Sequence, residues 1–499
     1  MKGEKLKEIP KDKRIVLIRT FTNVKDELRK YPVYTLAGER EEWETILCQN
    51  KWKVQDEKEK VYLVDPKQVA VTEFWLQEQA HWDYYKKGEL LPVTTSLPRY
   101  FDNKSFTQSI LSDYNLTMPN VSVRYVPFIE RIIDGVGELI PPTKPINEIL
   151  QKSVLSQVLY HFNTTVRDIN VPNVKTRLYH GAKNNSTLID PADYPLIEAK
   201  EESAKFLDFF YRNADLGKAS YLKPVLHTGC GMGVVKIGIK EKKFFIQTSD
   251  DRLQKLLKKH GGKPDSKNEK ILYFVPKKKE THKQMVKRVL LKTYFPYFHK
   301  VLGGETNFLL EEEYHLSSMP TKIEFRFVVQ EVNGKFKSTA NYSKVGDSDF
   351  VANLSLSGNP ANSMDVLQSI LKKIWPYVPD NKIMEVAEKE IKNMEKQSAM
   401  IFQTLLDKSK DINTSNKGKK EYLCPSTMNL KFGSVDFTPV YVPQIGIFLL
   451  AVEINGGTIG VKRLEEVDAK VYDNVLSMWN KNILAACKIA FGENPPKKS

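Results

Sequence analysis

The chain is poor in cysteine. Its four, Cys48, Cys230, Cys424 and Cys487, stand far apart, and none falls in a metal-ligand spacing. That usage speaks against a disulfide scaffold and fits a reducing, cytoplasmic setting. No apolar run is long enough to span a bilayer, so no membrane partner is expected. The opening MKGEKLKEIPKDKRIVLIR lacks the apolar core of a signal peptide. There is no internal repeat. Cys230 has no His-and-acid pattern to activate it, so covalent catalysis through a side-chain nucleophile is not expected.

What is present is ordinary in amount and uneven in charge. Hydrophobic residues make up 41% and charged residues 27%, the usual mix of a globular chain. The length of 499 residues suggests about three domains. The net charge of +15 fits a polyanionic partner, whether nucleotide, phosphorylated substrate or nucleic acid. The surplus gathers in residues 236–300, with KIGIKEKK, KLLKKHGGK, PKKKETHK and KRVLLK. These lysines read either as a solvated face, as a lid that handles phosphates, or as a nucleic-acid surface. The last is the least favoured, because no clear aromatic–basic motif accompanies them.

Residues 433–457, GSVDFTPVYVPQIGIFLLAVEINGG, read as two short strands. The first sets Asp436 among apolar neighbours. The second is apolar until Glu453, and Asn455 shares the Glu453 face because alternate strand residues point the same way. Three oxygen side chains on paired strands suit a hard cation, or else simply face water at a strand end. Upstream, RIVLIR and VYLVD read as strands of a small α/β unit over residues 1–100, with a helical pattern in VTEFWLQEQAHWDYYKKG. FDNKSFTQSILSDYNLTMP is a capped short helix with Lys104 at its start, where a surface lysine is the usual explanation.

YLKPVLHTGCGMGVVKIGIK carries Lys223 on a strand, then a loop with Gly229, Gly231 and Gly233, then a second strand. Glycines there let backbone N–H groups approach phosphate. NFLLEEEYHL is a strand running into Glu311, Glu312 and Glu313, then Tyr314. TKIEFRFVVQEVNGKFKSTANYSKV alternates as a hairpin turning at Asn333-Gly334, with Glu324 and Arg326 on one face. DFVANLSLSGNP places Asn353 before a small polar loop. Residues 363–410 read as helical, with a long stripe of Ile383, Val386, Ile391, Met394, Met400 and Leu405, and 411–421 as a polar loop. YDNVLSMWNKNILAACKIAFG is a final amphipathic helix.

Taken in order, these parts resemble the ATP-grasp superfamily, in particular glutathione synthetase, RimK-type and YheC/YheD-like carboxylate–amine ligases. The likeness covers about residues 100–490, and it rests on the order and spacing of motifs that are each degenerate. It implies an α/β (α+β) fold with two α+β subdomains gripping ATP behind the small N-terminal domain. The ATP-grasp unit would span 101–499, with 221–315 as the Gly-rich lid subdomain and 316–499 as the metal-binding one.

The resemblance implies roles residue by residue. Lys104 and Lys223 would contact ATP phosphates, Gly229 to Gly233 would close over them, and Glu311 to Tyr314 would form the adenine hinge. Glu324 would bind the ribose hydroxyls. Arg326 would face the γ-phosphate and the acyl phosphate formed from it, with Asn353 near metal and phosphate. Asp436, Glu453 and Asn455 would hold Mg²⁺, two ions in the family pattern, or Mn²⁺ in its place. The family often has an arginine on the return strand. Here that strand reads STANYSK, leaving Asn341 and Lys344, and Lys344 is taken as the catalytic candidate. The gaps from Lys104 to Lys223 and from Lys223 to Glu311 look longer than the family's, so 121–200 and 241–300 are candidates for substrate choice or oligomer contacts.

The implied activity is an ATP-dependent carboxylate–amine ligase releasing ADP and phosphate. Its partners would be ATP, a carboxylate-bearing small molecule or peptide, and an amine acceptor. Nucleic acid is disfavoured, and a homodimer is an option for which the sequence has no interface signal. The alternatives are an ATP-grasp kinase acting on an inositol-phosphate-like molecule and a non-catalytic ATP-binding protein.

Overall fold

A computed structural model describes residues 6–21, 24–38, 50–73, 91–92, 123–125, 211, 219–224, 234–294, 308–312, 321–346, 358–415, 431–442, 446–456 and 461–492. These form a mixed α and β structure with three sheets.

The first sheet is built from β1 (Lys7–Glu8), β2 (Ile15–Ile18), β3 (Val33–Leu36), β4 (Trp52–Gln55), β5 (Val61–Val64), β6 (Val69–Thr72) and β7 (Leu91–Pro92). Their spatial order is β1-β5-β4-β3-β2-β6-β7. The central β2 runs parallel to both β3 and β6. Its four residues, IVLI, are all buried, which is the unbroken apolar pattern of a strand covered on both faces. Of the expected helical pattern VTEFWLQEQAHWDYYKKG, Val71 and Thr72 instead continue the buried apolar strand β6, and residues 74–88 lie outside the described residues.

β8 (Val123–Tyr125) belongs to the third sheet. The second sheet follows: β9 (Ser220–Pro224), β10 (Val235–Lys240), β11 (Lys243–Gln247), β12 (Lys263–Pro264), β13 (Ile271–Phe274) and β14 (Phe308–Glu312), in the order β12-β13-β11-β10-β9-β14. Helices α1 (Asp251–Lys259) and α2 (His282–Val289) cover one of its faces. Leu253, Leu257, Met285 and Val289 meet Val235, Ile237, Phe244, Ile246, Leu272 and Phe274 there. Asp250 caps α1 by accepting from the Arg252 and Leu253 amides. Much of the expected 241–300 insertion is thus the body of this sheet and its helices.

The third sheet holds β15 (Ile323–Val332), β16 (Lys335–Val345), β17 (Asn359–Ala361), β18 (Phe432–Val442) and β19 (Gly446–Gly456), ordered β17-β16-β15-β18-β19-β8. β15 and β16 turn at Asn333 and Gly334, whose φ values of 53° and 78° suit a tight two-residue hairpin. One face, carrying Phe325, Phe327, Val435, Phe437 and Leu449, packs on α3 (Ser363–Ile374) and α4 (Asp380–Ser415). α4 outruns the expected helix and takes in residues 411–415, where no glycine or proline interrupts it. Its stripe uses Ile383, Val386, Ile391 and Met394 as expected, then Ile401 and Phe402, with Met400 only half-buried. The Leu405 side chain lies outside the described residues.

The opposite face of the third sheet is divided. At one end Val328, Ala340, Tyr342 and Phe432 pack on α5 (Ala469–Phe491) together with Val16, Ile18 and Val71 of the first sheet. α5 is therefore wedged between two sheets. Trp479 Nε1 donates to Glu73 Oε1 across that wedge, and the Arg19 amide donates to Glu73 Oε2 at 2.6 Å. The other end of the face is polar. No helix among the described residues is long and apolar enough to cross a membrane.

Candidate functional site

The polar end of the third sheet follows from register. β15 puts Arg326 opposite Asp436 of β18 and Glu324 opposite Lys344 of β16. β18 in turn puts Asp436 opposite Glu453 and Ser434 opposite Asn455 of β19. Four strands deliver six polar side chains to one patch, because directly opposed residues share a face.

Asp436 is its centre and is wholly buried. Arg326 grips it bidentately, Nε to Oδ1 at 2.7 Å and Nη2 to Oδ2 at 2.7 Å. Lys344 Nζ adds a contact to Oδ2 at 2.8 Å, and Asn455 Nδ2 one at 3.1 Å. Lys344 also reaches Glu324 Oε2 at 2.6 Å, and Lys322 approaches Glu324 Oε1 at 3.5 Å.

The electrostatics are those of a dense, balanced network. Burial by itself would raise the Asp436 carboxyl, but Arg326 and Lys344 hold it far below the usual carboxylate range. Burial likewise works against charge on Glu324, and Lys344 and Lys322 overcome it, holding the group at about 2. Burial and Arg326 push Lys344 down. Asp436, Glu324 and Glu453 more than reverse this, so its ammonium is held charged. Three cations (Lys322, Arg326, Lys344) face three carboxylates (Glu324, Asp436, Glu453).

The site reaches the second sheet. Lys322 Nζ lies 4.6 Å from the Tyr221 ring centroid, within cation–π range. Tyr221 stands opposite Lys236 in β10, and both are buried on the face that α1 and α2 leave free. The sequence reading missed Lys322, Tyr221 and Lys236. Lys322 was detectable, because Lys322, Glu324 and Arg326 alternate on one strand. Tyr221 and Lys236 needed the pairing of β9 with β10.

Of the other expected site residues, Lys223 lies in β9 opposite Leu309, and Glu311 and Glu312 end β14, described here by their backbone alone. Lys104, Gly229, Gly231, Gly233, Glu313, Tyr314 and Asn353 lie outside the described residues. Asn341 turns away from the patch and donates to Glu395 at 3.2 Å.

Arg326 and Asp436, expected to face phosphate and metal separately, are bonded to each other. Among the described residues no three His, Cys, Asp or Glu side chains form a metal-binding group. Asp436 has donors on both oxygens, whereas Asn455 commits only its amide nitrogen to Asp436. The set fits a hard cation in kind: two carboxylates and an amide oxygen on paired strands. Asp436 would join only by giving up one of its cationic partners.

No protein-family model, curated protein or solved structure matches the chain.

Proposed function

We propose that the chain is an ATP-grasp enzyme, an ATP-dependent carboxylate–amine ligase with the third-sheet patch as the floor of its nucleotide site. The observation that carries this reading is the convergence of Arg326, Lys344, Glu324, Asp436, Glu453 and Asn455 from four strands. Two antiparallel sheets facing each other through Tyr221 and Lys322 support it. Phosphoryl transfer asks for positioning and charge neutralisation, and such a network supplies both without a nucleophilic side chain.

In the proposed reaction a substrate carboxylate oxygen attacks the γ-phosphorus and ADP leaves. The amine nitrogen then attacks the acyl carbon, phosphate departs, and the nitrogen loses a proton to give the amide. Arg326 and Lys344, pinned between carboxylates, would offer fixed positive charge to the transferring group. Glu324 would keep Lys344 in place. Asp436, Glu453 and Asn455 would hold Mg²⁺, or Mn²⁺, which when bound supplies charge neutralisation on the phosphates.

The test measures ADP and phosphate release with pools of amino acids and peptides, then with inositol phosphates. Phosphate release that requires both a carboxylate and an amine is expected. ADP formation without free phosphate would point to a kinase and overturn the ligase reading. Glu453→Gln is expected to abolish turnover while the folded structure is retained. Full retained activity would remove Glu453 from the metal set.

A further inference from the structure

Residues 234–294 contain 18 lysines and arginines and six acidic residues, a net +12 out of the whole chain's +15. Of their sixteen lysines, thirteen are exposed. A charge this concentrated creates a long-range field that draws polyanions.

The sheet pairing adds a feature that the linear sequence hides. On the face of the second sheet opposite α1 and α2, Phe245 pairs with Gly238 in β10 and with Tyr273 in β13. The Phe245 ring lies over Gly238, where an added Cβ would come within 2.6 Å of its Cε1. The Phe245 and Tyr273 rings are edge to face, with centroids 6.3 Å apart. Both are only half-buried. Lys243 Nζ stands 6.0 Å from the Tyr273 ring, Lys263 pairs with Tyr273, and Lys240 pairs with Lys243. All three lysines are exposed. Two aromatic rings thus share a face of β10–β13 with three lysines, one of them over the Tyr273 ring, while the Tyr273 hydroxyl is tied to the Asp265 carboxylate.

We propose that this face of the second sheet is a docking platform for single-stranded nucleic acid, with bases stacking on Phe245 and Tyr273 and phosphates following Lys240, Lys243 and Lys263. Half-exposed rings beside cations suit a ligand that alternates π-faces with negative charge. An acidic polypeptide would use the lysines and leave the rings idle. A duplex would keep its bases stacked away from the rings. The predominance of lysine over arginine favours phosphate tracking without base readout. This platform shares its face of the second sheet with Tyr221 and Lys236 but lies towards the β12 edge, and it needs no ligase activity.

The test is fluorescence anisotropy of labelled oligothymidylate and oligouridylate with the full chain over a range of salt concentrations. Salt-sensitive binding is expected. Phe245→Leu and Tyr273→Leu, which keep an apolar filling, are each expected to weaken it about tenfold. Replacing Lys240, Lys243 and Lys263 together by alanine, all at exposed positions, should lower the slope of log affinity against log salt by about 2. Absence of binding at low salt, or unchanged binding by the ring variants with melting temperature preserved, would overturn the proposal. So would equal competition by a polyglutamate peptide, which would assign the lysines to an acidic protein partner. Equal affinity for a duplex would rule out the single-strand assignment.

Discussion

Asp436 accepts four donors on two oxygens in a buried patch, two of them from Arg326 and one each from Lys344 and Asn455. Breaking one side of such a pair costs more than the pair is worth, because the survivor is left charged and buried. Arg326→Met is therefore expected to lose about 3–5 kcal/mol of unfolding free energy. Adding Asp436→Asn should recover part of that loss, since it removes the excess buried negative charge that Lys344 alone does not balance. Urea denaturation of the two variants would check this, and simple additivity would refute the coupling.

Glu324 gives the site a pH signature. Its folded-state value is depressed from 4.5 to about 2, so the unfolded chain binds its proton first on acidification. Its contribution to stability is full above about pH 4.5 and is lost as pH falls toward about 2. Thermal melts of wild type and Glu324→Gln should converge across that window. Parallel curves would show that the carboxylate adds nothing in the native state.

At the scale of elements, α4 and the third sheet meet at Gly433. A Cβ there would come within 2.3 Å of Phe402 Cζ and 2.6 Å of the Asn455 carbonyl oxygen. The glycine is required by close approach of the helix. Gly433→Ala should cost about 1–3 kcal/mol, as overpacking does. Because Asn455 is on the adjoining strand, it should also disturb the patch. An alanine variant as stable as wild type would mean that α4 stands further off than described.

Elements were largely legible in the sequence for local reasons. Asn333-Gly334 announced the hairpin, and Glu324 and Arg326 announced their shared face by alternation. The pairing of Asp436 with Arg326 was not legible, since 110 residues separate them and only strand register brings them together. The Phe245–Tyr273 platform was hidden for the same reason, each ring sitting in an unremarkable strand of its own. Helix length failed at 411–415 because polar residues without a breaker read equally well as a loop.

At the scale of the molecule, the first sheet depends on the last helix. Val16, Ile18 and Val71 are buried against α5 residues Val475, Trp479 and Ile483. A chain ending before residue 469 would expose that face and leave buried Glu73 without its Trp479 donor. Hydrogen exchange at residues 15–18 and 69–72 is expected to accelerate by orders of magnitude in such a truncation, while 235–274 stays protected. Unchanged protection of the first sheet would separate its stability from α5.

The bond between Trp479 and Glu73 spans 406 residues of chain. On a ribosome adding about 5–20 residues per second, roughly 20–80 s pass between synthesis of one partner and arrival of the other. For that interval the apolar face of the first sheet has no α5 to cover it. A message translated faster through its middle would shorten that exposure.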